Sequence, residues 1–164
     1  MKLAHRVVIL CLIAGIHAPL AVADTYTNET YGFSMSPPDF PPAAEGSAVQ
    51  PVTFLAAPTG TFVANCNVQV QHVAFSLAES EALTESQFDA LGWTVEEKSY
   101  RDVSEHEAVV VQYSATIGGI STSYLALAVP VDARVYLLTC VATSQQFPDY
   151  REAFQTAIDS FRID

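Results

Sequence analysis

The sequence predicts an α+β domain: a largely antiparallel sheet with one short middle helix and a long C-terminal helix. Three observations point there. Apolar residues alternate on both sides of Gly118-Gly119, a helix-capping pattern precedes Gly92, and Phe147, Tyr150, Phe154, Ile158 and Phe161 recur at helical spacing near the end.

Residues 1–23 read as a cleavable signal peptide. Lys2 and Arg6 give a basic start, residues 7–16 an apolar run, and Ala21-Val22-Ala23 a small-x-small site with cleavage between Ala23 and Asp24. His17 and Pro19 end the run short of the about 20 apolar residues that a membrane span needs. The expectation is release with no transmembrane anchor, into the periplasm or the medium. Cys11 lies early in the run behind Leu10, where a lipoprotein signal would want a small residue.

Residues 24–30 are polar and expected to be a flexible N-terminal tail, carrying Asn28-Glu29-Thr30 as a formal glycosylation sequon. Residues 31–164 are expected to form a single domain, long enough to bury about 70% of its unfolded surface. Residues 31–36 alternate large and small side chains as an edge strand does. They stop at Pro37-Pro38-Asp39-Phe40-Pro41-Pro42, where each proline removes a backbone donor and forces an extended surface loop. Phe40 on that stiff loop is either a partner contact or a lid over the end of the sheet.

Strands follow near 51–56 and 66–75, separated by Pro58-Thr59-Gly60. A short helix is signalled over 83–88, with Thr84 as cap, Gln87 reaching back, Leu83 stapling onto Phe88, and Gly92 as the stop. Residues 93–101 alternate as a strand with one buried face, ended by an acidic turn over 102–107. Gly118-Gly119 suits the positive φ angles of a two-residue hairpin turn. That turn pairs Ile117 with Ile120, Tyr113 with Tyr124 and Val111 with Ala126. Residues 135–143 make a further apolar strand. The chain closes on a helix of about four turns whose aromatic stripe covers one sheet face.

Composition limits the function. The chain carries a net charge of −11. Without Lys2 and Arg6, five basic residues face eighteen acidic ones, and the charge becomes −13. Such a field repels phosphate backbones and anionic lipid, which argues against nucleic acid as a partner; it is compatible with basic protein surfaces and cations, and more commonly serves only to keep an exported domain soluble. Removal of Cys11 leaves Cys66 and Cys140, in a compartment that permits disulfides. They form either a bridge closing a 74-residue loop, worth about 4 kcal/mol of chain entropy, or two buried small apolar side chains.

Several segments make the fold more particular. Tyr31-Gly32-Phe33 leading into Pro37-Pro38, then Asn65-Cys66-Asn67-Val68, Val135-Tyr136-Leu137-Leu138-Thr139-Cys140, and Phe147 through Ser160-Phe161-Arg162 resemble the PsbP-like superfamily. That group includes DcrB-like bacterial envelope proteins and is related in fold to a Ran-binding nuclear import factor. The resemblance covers nearly all of the chain after residue 23. It implies an α/β/α sandwich used as an accessory or binding module, without catalysis and without a cofactor. No ion-ligand residue carries over, and neither cysteine takes a role from it.

The residues agree. After residue 23 only His72 and His106 remain, too few for a three-histidine zinc site, and no HExxH or EF-hand spacing occurs. His106 among Asp102, Ser104, Glu105 and Glu107 invites a hydrolytic reading, but one acidic turn supplies no oxyanion hole or buried orienting carboxylate. Ser121 lacks the second glycine of a nucleophile elbow. The carboxylates of Glu79, Glu81, Glu85 and Asp89, or of Glu96 and Glu97, are candidates for acid-base work or a weak divalent-ion site, against the commoner solvated face. The expectation is therefore an exported module binding an envelope protein or assembly. The alternatives are a carrier holding a small apolar ligand beneath Phe147–Phe161 and, ranked lower, a hydrolase.

Overall fold

The computed structural model describes residues 24–43 and 46–164. The signal-peptide reading of residues 1–23, with Cys11 and Ala23, lies outside them. The elements in chain order are β1 (Tyr26–Asn28), β2 (Phe33–Met35), β3 (Val52–Leu55), β4 (Asn65–Gln71), α1 (Leu77–Leu91), β5 (Thr94–Val103), β6 (His106–Ile117), β7 (Ile120–Val131), β8 (Arg134–Thr143), α2 (Phe147–Ser160) and β9 (Arg162–Ile163). Six strands pair antiparallel in the order β3-β4-β8-β7-β6-β5, and β1-β2-β9 form a second, small sheet. α2 and the small sheet cover one face of the large sheet and α1 lies across the other, the α/β/α sandwich.

Strand alternation sorts the two faces. In β7, Leu125, Leu127 and Val129 turn toward α2, while Tyr124, Ala126 and Ala128 turn toward α1. The α2 side holds the main core: Phe154, Ala157, Ile158 and Phe161 are fully buried against Val68, Val70, Leu138 and both cysteines. Phe161 stacks on Phe33 of β2 at 5.6 Å, which draws the small sheet onto the end of this layer. The hairpin register is the one the glycine turn dictates, with Ile117 opposite Ile120, Tyr113 opposite Tyr124 and Val111 opposite Ala126. Gly118 and Gly119 both take positive φ, 58° and 81°.

Five expectations are corrected. Residues 26–28 are not a loose tail but the strand β1, because Tyr26 packs edge-on against Phe54 at 5.3 Å and its backbone pairs with β2. The strand expected over 66–75 ends at Gln71, leaving room for a longer helix. α1 begins at Leu77 and has 15 residues, one more than α2. Its capping box is Ser76 with Glu79, whose carboxylate accepts from Ser76 N at 2.9 Å. Thr84 instead sits mid-helix, its hydroxyl donating to Ser80 O.

β5 is an edge strand exposed along most of its length, with a bulge between Val95 and Glu97, so its alternation does not mark a buried face. The acidic turn shrinks to Ser104-Glu105, both at positive φ, and Ser104 Oγ accepts from Ile163 N at 2.9 Å. β9 has no local sequence signal; β2, some 130 residues earlier in the chain, recruits it.

Candidate functional site

Cys66 and Cys140 face each other across β4 and β8 and are joined by a disulfide, both fully buried. Phe40 is half-buried, its ring edge-on to Tyr150 at 5.4 Å and to Phe154 at 6.4 Å, so the proline loop closes over α2 as a lid. The apolar residues of 147–161 fill the layer beneath α2 with side chains. The expected ligand space beneath Phe147–Phe161 is therefore filled, and the cleft with an apolar floor lies on the opposite face.

That volume is a cleft of about 420 Å³ between α1 and the sheet. Its floor is Val109 and Val111 of β6, Ala126 and Ala128 of β7, and Leu137 of β8. All but Val109 remain partly exposed although they sit on the central strands beneath a helix. The roof explains why. α1 turns Ser80, Glu81 and Thr84 inward, whereas Leu83 and Leu91 face out, 45% and 60% exposed. A helix with its leucines inward would press onto the floor; this one cannot, because short polar side chains meet small alanines.

One end of the cleft is walled by aromatic rings. Phe88 and Tyr113 are 4.5 Å apart, Tyr113 stacks on Tyr124 at 4.4 Å, and Trp93 lies parallel to Tyr113 at 5.6 Å. Burial there, reinforced by the neighbouring Tyr124, pushes the Tyr113 phenol well above its ordinary value and keeps it neutral.

Along the β5 side a polar latch holds the helix. Lys98 Nζ donates to Glu81 at 3.1 Å and to Glu85 at 2.9 Å, one helical turn apart, and Tyr100 Oη donates to Glu81 at 2.7 Å. At the other margin Thr139 lines the cleft. Beside it, Asn67 Oδ1 is the buried side-chain oxygen without a hydrogen-bond partner among the described residues.

The latch makes a testable prediction. The hydrogen bond from Tyr100, then Lys98, holds the Glu81 carboxyl below its ordinary 4.5, and the cap hydrogen bonds from Ser76 do the same for Glu79. Carboxylates depressed in the folded state lend stability above their unfolded values and lose it as pH falls through the lowered ones. Amide protection factors in α1 are therefore expected to fall before those in α2 on acidification below the carboxylate range. Equal loss in both helices would reject the latch.

Other sequence-marked groups do not converge. His106 opens β6 away from the cleft, and Ser104 is engaged with Ile163. Among the described residues no three His, Cys, Asp or Glu side chains gather as an ion site; Glu79 caps α1, and Glu81 and Glu85 share Lys98. A second groove of about 440 Å³ runs between α2 and β5–β6, where Arg101 pairs with Asp159 and Arg151 lies near Glu97 and Asp102. Its charges are mixed, and its apolar lining is confined to Val110 and Leu125.

The fold recurs in known structures. CyanoP, the cyanobacterial PsbP of Synechocystis sp. PCC 6803, superposes with a TM-score of 0.62 at 14% identity, over 92% of this chain and 99% of that one. The fold is PsbP-like. LpqN of Mycobacterium tuberculosis, involved in cell envelope biogenesis, has the same PsbP-like architecture, with a TM-score of 0.61 at 14% identity, over 80% of this chain and 82% of its own. A Pseudomonas aeruginosa protein of unknown function matches at 0.61 and 15% identity, over 82% and 92%. No protein-family model matches the sequence, and no curated protein sequence does. At such identities the PsbP-like fold is shared, and no residue role is carried across.

The cleft was missed from sequence because α1 was begun too late. Once the helix starts at Leu77, its inward stripe of Ser80, Glu81 and Thr84 is plain. The small residues of Leu125-Ala126-Leu127-Ala128-Val129 then mark the thinner face.

Proposed function

We propose that this chain is an exported, non-catalytic module of the cell envelope that acts by binding a protein or assembly. The observation that carries the reading is the outer face of α1, which holds Leu83 and Leu91 in solvent, with Glu79 one turn before Leu83. Exposed leucines on a chain of net charge −11 suit a basic protein surface with an apolar centre. The leader-like residues 1–23 and the disulfide support an oxidising, extracytoplasmic address. Phe40 remains a second contact through the exposed part of its ring.

Two measurements test this. Residues 1–30 fused to a leaderless alkaline phosphatase are expected to give extracytoplasmic activity; an inactive fusion retained in the cytoplasm overturns the address. A photo-crosslinking residue placed at Leu83 or Leu91 in the full chain is expected to capture one discrete, shared protein in native cells. A probe at Glu152, exposed on α2 across the large sheet, is not. Capture from position 40 alone moves the contact to the proline loop and removes α1 from the reading, and capture from none of these positions overturns it.

A further inference from the structure

Behind the same helix the geometry points to a second capability: we infer that the cleft between α1 and the sheet binds a small apolar amine. This stands apart from a protein contact on the outer face of α1, because the cleft opens on that helix's inner side.

The shape is a ligand site of ordinary size, about 420 Å³, within the roughly 300–1,000 Å³ typical of small-molecule pockets. Its floor offers only hydrocarbon, from Val109, Val111, Ala126, Ala128 and Leu137. The rings of Phe88 and Tyr113 close one end. Such a floor, left half-exposed on central strands, takes up an alkyl or ring body because burying it removes apolar surface from water. The roof does not compete for the space, since Thr84 is bonded to its own helix at Ser80 O.

Charge selects the head group. Glu81, Glu85 and Asp89 line the cleft against one cation, Lys98, whose ammonium is already held by Glu81 and Glu85. A carboxylate or phosphate head would meet net negative charge and find no free cation; an ammonium would gain. The acidic margin asks for a donor and the floor for hydrocarbon, and an apolar body with an amine head answers both.

The test uses the folded chain and a neutral fluorescent probe, N-phenylnaphthylamine, with decylamine and decanoate as competitors below their micelle concentrations. The probe is expected to brighten on binding and to quench Trp93, which stacks at the end of the cleft. Decylamine is expected to displace it about tenfold more tightly than decanoate, a preference that shrinks in salt and in Glu85→Gln. Ala128→Phe, which fills the floor, is expected to abolish probe binding. Ala126→Leu serves as a second filling variant, and circular dichroism confirms that each remains folded.

Absence of probe binding to the intact chain overturns the site. Binding that survives both filling variants places the probe elsewhere and also overturns it. Decanoate competing as well as decylamine overturns the amine assignment. None of these outcomes alters crosslinking from Leu83 or Leu91, so failure here is distinguishable from failure of the protein-binding reading.

Discussion

Replacing Cys66 and Cys140 together by alanine is expected to cost about 4 kcal/mol of stability, the chain entropy regained by an opened loop of 74 residues. At roughly 2–4 °C per kcal/mol for a domain of this size, that is a fall in Tm of roughly 8–16 °C. The loop contains α1, β5, β6 and β7, so the bond joins two neighbouring strands that are separated along the chain by most of the large sheet. β4 is held to the sheet's centre through β8 alone, and the pair Cys66–Cys140 sits one position in from the end of that ladder. Without the bridge, β3 and β4 are free to leave together.

Alanine is the proper replacement, since serine would bury two hydroxyl groups where both sulfurs are fully enclosed. The same burial implies that reductant alone acts slowly on the native protein and quickly once denaturant opens it. Urea titrations of the oxidised protein and the double variant, read by Trp93 fluorescence, measure the difference. Coincident midpoints would mean that the bridge does not constrain the unfolded chain.

What the sequence disclosed depended on whether a local rule was strong enough to act alone. Gly118-Gly119 fixes a turn, the turn fixes the register, and the register brings Tyr113 onto Tyr124 with no help from the rest of the fold. The stripe from Phe147 to Phe161 likewise names its own buried face. The ends of the small sheet were hidden for the opposite reason. β1 and β9 have three and two residues, and each exists because β2 lies between them.

α1 was hidden by competition between two capping patterns, Ser76 with Glu79 and Thr84 with Gln87. The second carried a staple of Leu83 onto Phe88 that the fold does not use. The same misplacement hid the cleft, because the inward polarity of a helix can be judged only once its first residue is known. β5 misled through its alternation, which on an edge strand reports solubility as readily as burial.

Phe154→Ala is expected to cost about 3–5 kcal/mol, the range for truncating a fully buried aromatic ring. The ring is a hub. It lies 5.8 Å from Phe147 and 5.7 Å from Tyr150 along α2, and it meets Phe40 from the proline loop edge-on. Its removal therefore loosens two things at once, the seat of α2 on the sheet and the lid formed by residues 37–42. Limited proteolysis is expected to cut that loop in the variant at temperatures where the sheet is still folded, and calorimetry gives the global loss.

Phe154→Leu, which keeps most of the volume, should recover much of the stability while leaving the loop more accessible than in the parent, because a leucine offers no ring face to Phe40. The cleft under α1 is on the other side of the six-stranded sheet, and of its lining only Leu127 belongs to the core cluster that holds Phe154. Probe binding there should be unchanged by either substitution, and the stability cost of Phe154→Ala should add to that of Ala128→Phe within about 0.5 kcal/mol. A large non-additivity would mean that the sheet transmits packing from one face to the other. The two layers would then have to be treated as one cooperative unit, with ligand in the cleft felt at the proline loop.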